Sequence, residues 1–580
     1  MNCYDMIYGN DYYDLIVRNT AYLPPLSDGI CGLDVGNNYT ILFVSRDRYP
    51  DFRVANYHYN AIPNCYQPLS MEALDAAGIL QVRENPALGL DGKGVLIGFL
   101  DSGIDTTHPA FLDAAGESRI VAVWDQNYVE ENEGTARTAD DLPQPYYGRV
   151  YGKDSLSVYG NRDATGHGTY VASVAAGSDV GDHSGAAPAA DIAMVHLKEA
   201  KPYLRQYYFI PEDATCYAEN DIMFGIQFLD ELARMRGQAL VICMSLGCGL
   251  SSHSGNNSLA LYLNDLAVAY RRCVVTATGN LAAARKHFQG VFTAEDIEEG
   301  LGKKAYRQVE VVVEEDVCGF VMEQWCLAPA RYEVAIVSPS GEVHPAVGIQ
   351  TAGSQIYDFP LDGTTVEVDY SFPEATAGNQ LIYYRFTKPA QGIWRIRVYS
   401  ENGQPGEFHM YLPGQALTCG RIYFLASNPD TTIMNPANAN RVLTIAGYNA
   451  VENAILLESG RGYTIDRRIK PDLAAPGYAV EGAVAGRGNF PAEARYERQT
   501  GTSGAVAIAS GAAALYLQWC DRRQDTLVNT TQVKIFLIRG QGRFPVTFIP
   551  TGSGAMGRWI CMNLSGVYNK DRREAGVLLK

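Results

Sequence analysis

The chain has 580 residues, 47% hydrophobic and 19% charged, the balance of a globular protein of several domains at roughly 100–200 residues each; collagen-like, coiled-coil and fully disordered chains are excluded. Its 64 acidic and 47 basic side chains leave a net charge of −17 with no basic run. Nucleic acid and membranes are therefore not expected partners.

The first thirty residues, beginning MNCYDMIYGNDYYDLIV, lack the basic start, apolar centre and small-residue cleavage site of a signal peptide. Residues 1–75 are predicted to form a separate N-terminal block. Tyr39–Val44 reads as a strand and Ser70–Ala77 begins a helix. The link IPNCYQPLSMEAL at 62–74 contains Pro63 and Pro68, which keep it extended.

Between 76 and 299 the pattern becomes α/β. Val95–Leu100, Ile192–Leu197, Leu240–Met244 and Cys273–Ala277 are continuous apolar runs, as expected of parallel strands buried on both faces. Thr169–Ala176, Tyr217–Arg236 and Leu259–Arg272 alternate with them as helices; in the second, Ile222, Ile226, Leu229 and Ala233 follow a helical period. The expected fold is a parallel sheet with helices on both faces.

Near residue 300 the helical period stops. Val309–Val313, Glu333–Val337, Glu342–Ile349, Thr365–Phe372, Gln380–Phe386, Gly392–Tyr399 and Glu407–Leu412 read as strands separated by turn signals. They predict an inserted all-β jelly roll or sandwich over 300–425. The α/β pattern returns over 426–580 with Val442–Ile445 and a helix after Gly501. Gln499–Cys520 carries no charge, but its Gly, Ala, Ser and Thr content reads as a buried core helix rather than a membrane span. The twelve cysteines are scattered without a C-x-x-C pair. They are expected to be reduced, with Cys243 and Cys273 buried in apolar runs.

Four motifs carry chemistry. In LDSGID, Asp101 follows a buried strand, where α/β sheets present ligand-facing groups. In DATGHGTYVAS, His167 lies between two glycines at a helix start. In TATGN, Asn280 follows a strand and offers a side-chain amide. In QTGTSGAVAIASG, Ser503 opens the apolar helix, whose free N–H groups and dipole favour developing negative charge. Taken singly, each has a plain structural reading as a cap or turn residue.

Together, in the order Asp, His, Asn, Ser, they resemble the subtilase family of serine peptidases, in which the triad runs Asp…His…Ser. LDSGIDTTHPAF, GHGTYVASVAAG, GAAPAADIAMV, VICMSLG, TATGN, KPDLAAPG and GTSGAVAIASG match the family's blocks in order across roughly 85–285 and 430–565. An insertion between Asn280 and Ser503 is similar to that of the clostridial Csp germination proteases and related Firmicute peptidases. Where the family often has Pro and His after the nucleophile, this chain has Ala507 and Ile508, a change in helix packing rather than in reacting groups.

The resemblance implies Asp101, His167 and Ser503 as a catalytic triad and Asn280 as an oxyanion donor. It implies Ser245, Leu246 and Gly247 as one wall of the substrate cleft and Ala277, Thr278 and Gly279 as the other. Protein or peptide substrates follow, with the chain's own N-terminal segment in the cleft as a self-processed prosegment. No cofactor or metal is implied. A cytoplasmic or spore-associated location and activation of a zymogen, as in Csp proteases, are further expectations. The competing class is an inactive pseudoprotease that binds a partner. A lipase or esterase fits worse, because Ser503 lies in G-T-S-G rather than G-x-S-x-G and the order Ser…Asp…His is not present.

Overall fold

The computed structural model describes residues 3–18, 30–48, 53–54, 56–68, 79–83, 88–129, 142–179, 183–299, 306–346, 352–401, 403–452, 454–491 and 494–540. The helix expected from Ser70 to Ala77 lies outside them. Near the N-terminus, β1 (Tyr12–Arg18), β2 (Ile30–Gly36) and β3 (Tyr39–Ser45) form an antiparallel sheet in the order β1–β3–β2. A short strand, β4 (Cys65–Pro68), follows.

The large sheet has nine strands. Its central members are β5 (Val95–Asp101), β6 (Ile120–Asp125), β7 (Arg149–Gly152), β8 (Asp191–His196), β10 (Ala239–Met244), β12 (Arg272–Ala277) and β13 (Leu443–Asn449), in the order β13–β12–β10–β5–β8–β6–β7. Ala454–Ile455 and Leu473–Pro476 complete it beside β13. All of these pairings are parallel except β6 with β7 and β13 with Ala454–Ile455. Every residue of β5, β10 and β12 is buried, the reason these strands read as unbroken apolar runs. β6 and β7 are additions to the expected set.

α1 (His167–Ala176) and α4 (Thr502–Arg522) pack on one face of this sheet, and α2 (Glu219–Met235) and α3 (Ser258–Leu266) contribute to the core on the other. α3 ends at Leu266, short of the predicted Arg272, and Arg271 takes a left-handed conformation, φ 60°, where the chain turns into β12. α4 is buried along nearly its whole length. No described helix is long and apolar enough to cross a membrane.

The all-β region contains two antiparallel sheets. One has six strands, in the order His287–Phe292, Gly406–Tyr411, Gly319–Cys326, Gln380–Thr387, Thr364–Ser371 and Ala352–Phe359. The other has five, in the order Val343–His344, Tyr332–Val337, Gly392–Ser400, Tyr306–Val313 and Ile422–Phe424. Val311, Phe320, Met322, Ile336, Phe386 and Trp394 from both sheets form a closed core. Gly319–Cys326 and Ala352–Phe359 were not among the expected strands, and the sheet reaches back to His287. Of the strand expected at 342–349, only Val343–His344 is paired, and 347–349 lie outside the described residues.

The expectation of reduced thiols is corrected at four positions. Cys3–Cys31 and Cys318–Cys419 are disulfide-bonded, with Cα atoms 5.6 and 5.9 Å apart, a separation a disulfide spans. The other seven described cysteines, Cys243 and Cys273 among them, are free and buried.

Candidate active site

The parallel strands all end at one edge, so residues far apart in sequence converge there. Asp101 ends β5, Ser245 follows β10 and Gly279 and Asn280 follow β12. α1 brings His167 and α4 brings Ser503 to the same edge. Gly168 is required beside His167: a Cβ there would collide with the carbonyl oxygen of Gly103 and lie 3.0 Å from the Asp101 Cβ. A side chain at 168 would thus push the imidazole away from the carboxylate.

His167 Nδ1 lies 2.7 Å from Asp101 Oδ1 and 2.9 Å from Oδ2, and its Nε2 lies 3.1 Å from Ser503 Oγ. Asp101 also accepts the Ser102 backbone N–H and the Ser245 hydroxyl, both at 2.8 Å. Burial opposes ionisation of Asp101, yet the adjacent His167 and these hydrogen bonds hold its carboxyl below the usual range. An ionised Asp101 only accepts, so the imidazole proton belongs on Nδ1 and the Nε2 lone pair faces Ser503.

Ser503 lies within the first turn of α4, whose N-cap is Gly501 without a side-chain cap bond. The plain reading of Ser503 as a cap residue is therefore not found. Asn280 Oδ1 accepts the Thr502 N–H at 3.2 Å. That contact orients the amide and leaves its NH₂ group as the free donor end.

One positioning group escaped the sequence reading. Asp163 accepts the backbone N–H groups of Gly166 at 2.9 Å and Thr169 at 2.7 Å, and the Ser102 hydroxyl at 2.7 Å. It thereby ties the His167 turn to the residue after Asp101. Its place three residues before Gly166, inside the same motif, was the available signal.

The two segments expected to wall a substrate cleft are separate. Leu246 and Gly247 form β11, which pairs antiparallel with β4 in the register Leu246↔Pro68 and Gly247↔Gln67. β4 pairs on its other side with β9 (Tyr217–Ala218) in the register Cys65↔Ala218 and Tyr66↔Tyr217. Ala277 and Thr278, expected in the opposite wall, are buried; Thr278 donates its N–H to Ile445 O at 3.0 Å, and Gly279 O accepts the Gly460 N–H at 2.8 Å. Ser245, expected as lining, is buried and donates its hydroxyl to Asp101. Among the other histidines, His344 Nε2 lies 2.7 Å from Asp358 O, and His409 bridges Glu407 and His287.

A mainly parallel sheet that gathers an Asp, a His and a Ser at its carboxyl edge, in that chain order, defines the subtilisin-like peptidases as a class. The chain belongs to that family: the sequence model of the subtilase family matches residues 92–304 and 405–546. Family membership makes it a peptidase with protein or peptide substrates.

The Clostridium perfringens CspB protease is 25% identical, with a TM-score of 0.71, over 85% of this chain and 98% of that one. The prenylagaramide maturation protease PagA is 13% identical, with a TM-score of 0.38, over 83% and 94%. Fervidolysin from Fervidobacterium pennivorans, a keratinolytic enzyme related to subtilisin, is 12% identical, with a TM-score of 0.41, over 92% and 57%. No curated protein matches.

Proposed function

We propose that the protein is a serine endopeptidase working through an acyl-enzyme. The observation that carries this reading is the unbroken line Asp101–His167–Ser503, with contacts of 2.7 and 3.1 Å. Ser503 Oγ attacks the peptide carbonyl. His167 Nε2 takes its proton and returns it to the leaving amine, while Asp101 stabilises the imidazolium. The Asn280 amide and the Ser503 backbone N–H receive the oxyanion. Water then attacks the acyl-serine, with His167 again as base.

The N-terminal block, residues 1–75, acts in this reading as a prosegment. Two observations support it. Lys201 Nζ reaches the buried Asp14 carboxylate on β1 at 2.6 Å and Met6 O at 2.8 Å, a desolvated pairing that fixes the block against the catalytic region. β4 also occupies the slot between β9 and β11, the place of an added substrate strand. From Gln67 to Pro68 the strand runs from Gly247 to Leu246, towards Ser245 and hence Asp101. Self-cleavage in this reading falls in the later part of the link at 62–74, at 69–72, beyond the described strand.

The β region, about 300–425, acts as a packing module without catalytic groups, between catalytic parts 76–299 and 426–580. Activation of a zymogen in a cytoplasmic or spore-associated setting is proposed from the Csp likeness. The two disulfides weigh against a fully reducing compartment.

N-terminal sequencing beside a Ser503→Ala control, with fluorophosphonate labelling of both, tests this reading. The expected result is labelling and a shortened N-terminus in the native protein alone. Absence of both peptide hydrolysis and labelling would leave the pseudoprotease. Full activity with an intact N-terminus would remove self-processing.

A further inference from the structure

The two cleft walls do not enclose an open slot. Met434 lies between them. A Cβ built on Gly247 would stand 3.1 Å from Met434 Cβ and Cε and 3.3 Å from its Sδ. A Cβ built on Gly279, where φ is +84°, would collide with the same sulfur and stand 3.1 Å from Met434 Cβ. The thioether is thus sandwiched between a glycine of each wall, and Met434 is 1% exposed.

Its backbone is equally fixed. The Met434 N–H donates to Thr278 O at 2.9 Å, and Asn435 exchanges both backbone hydrogen bonds with Cys248, each at 2.9 Å. One short segment therefore bridges the walls, with Met434 at the crossing point.

We propose that Met434 sets the primary specificity of this peptidase. Its side chain takes up the depth of the pocket that receives the residue before the scissile bond, so short side chains are accepted and aromatic ones rejected. The inference rests on the endopeptidase reading and deepens it. In a site already filled, admitting a ring means displacing buried atoms, and overpacking of that kind is costly. Met is unbranched and adaptable, so the rejection is graded rather than absolute. None of Leu69, Ser70, Met71 and Glu72, the residues of the proposed self-cleavage window, is aromatic.

The test is kcat/KM on two peptide p-nitroanilides that differ only in Ala or Phe before the scissile bond. The native protein is expected to prefer Ala by about 10-fold or more, within the range that one misfitted apolar group commands. Met434→Gly and the milder Met434→Ala should each shift the ratio at least about 10-fold towards Phe, while Met434→Leu, which restores bulk, should keep it. A native preference for Phe overturns the proposal. So does an unchanged ratio in folded Met434→Ala. Binding of the corresponding product peptides to Ser503→Ala, by calorimetry, reads the same preference without turnover. A protein that fails to cleave either substrate and resists fluorophosphonate, yet binds the Ala product over the Phe product, overturns the peptidase reading and keeps the pocket assignment.

Discussion

The parallel sheet and the inserted β sandwich place their chemistry-bearing residues in opposite ways. In the parallel sheet every carboxyl end faces one edge, so Asp101, Ser245 and Asn280 meet although they come from three separate strands. In the antiparallel sandwich successive strands end at opposite edges. Its apolar side chains, Trp394 and Phe320 among them, close on each other, and its described histidines pair with neighbours inside the region. The contrast explains why a long insertion between Asn280 and Ser503 is compatible with a working edge: what must be preserved is the position where the chain leaves and re-enters the sheet.

The most damaging change expected within the sandwich is Trp394→Ala, which removes a fully buried ring. It should cost about 3–5 kcal/mol in unfolding free energy while kcat of the folded protein stays within about twofold. Denaturant unfolding beside active-site-titrated kinetics checks both. A large loss of kcat in protein that remains folded would end the separation of roles. The reciprocal change, Asn280→Ala, should lower kcat by about 10²–10³, a range established on subtilisin itself, with little effect on KM or on unfolding.

A smaller effect is expected where the sandwich meets the N-terminal block. Glu323 of the sandwich accepts the Tyr59 hydroxyl at 2.6 Å and the Trp325 indole N–H at 3.0 Å. Burial pushes its carboxyl from 4.5 up to about 7, against the opposing influence of those bonds. The folded protein therefore keeps a proton that the unfolded chain gives up near 4.5. The stabilisation is complete below that value and is lost as pH rises from there through about 7, a change of about 3 kcal/mol. Tm should fall between about pH 4.5 and 7.5, and Glu323→Gln should flatten the fall. Equal slopes in both proteins would remove Glu323 from the account.

The legibility of the sequence follows the same division. β5, β8, β10 and β12 announce themselves because burial on both faces leaves no polar position in their middles. Asp101, His167, Asn280 and Ser503 are readable because close packing forces glycines and small residues around them, and Gly168 shows the collision that enforces one of these. Gly319–Cys326 is buried throughout, yet Glu323 and Gln324 interrupt its apolar run, since internal hydrogen bonds satisfy them. The Cys318–Cys419 pair spans 101 residues and has no local spacing to betray it. Met434 is the extreme case: an ordinary apolar residue whose significance comes from two glycines distant in sequence.

The helix bearing Ser503 packs against β5, β10, β12 and β13, and it is synthesised after all of them. At about 5–20 residues per second, the stretch from Asn280 to Ser503 takes roughly 10–45 s to translate. The sandwich emerges in that interval, while the nucleophile has yet to be made. A chain caught partway through translation thus carries its acid and its imidazole without its hydroxyl. In the proposed reading, the order of the elements leaves a nascent chain without its nucleophile until the helix bearing Ser503 arrives.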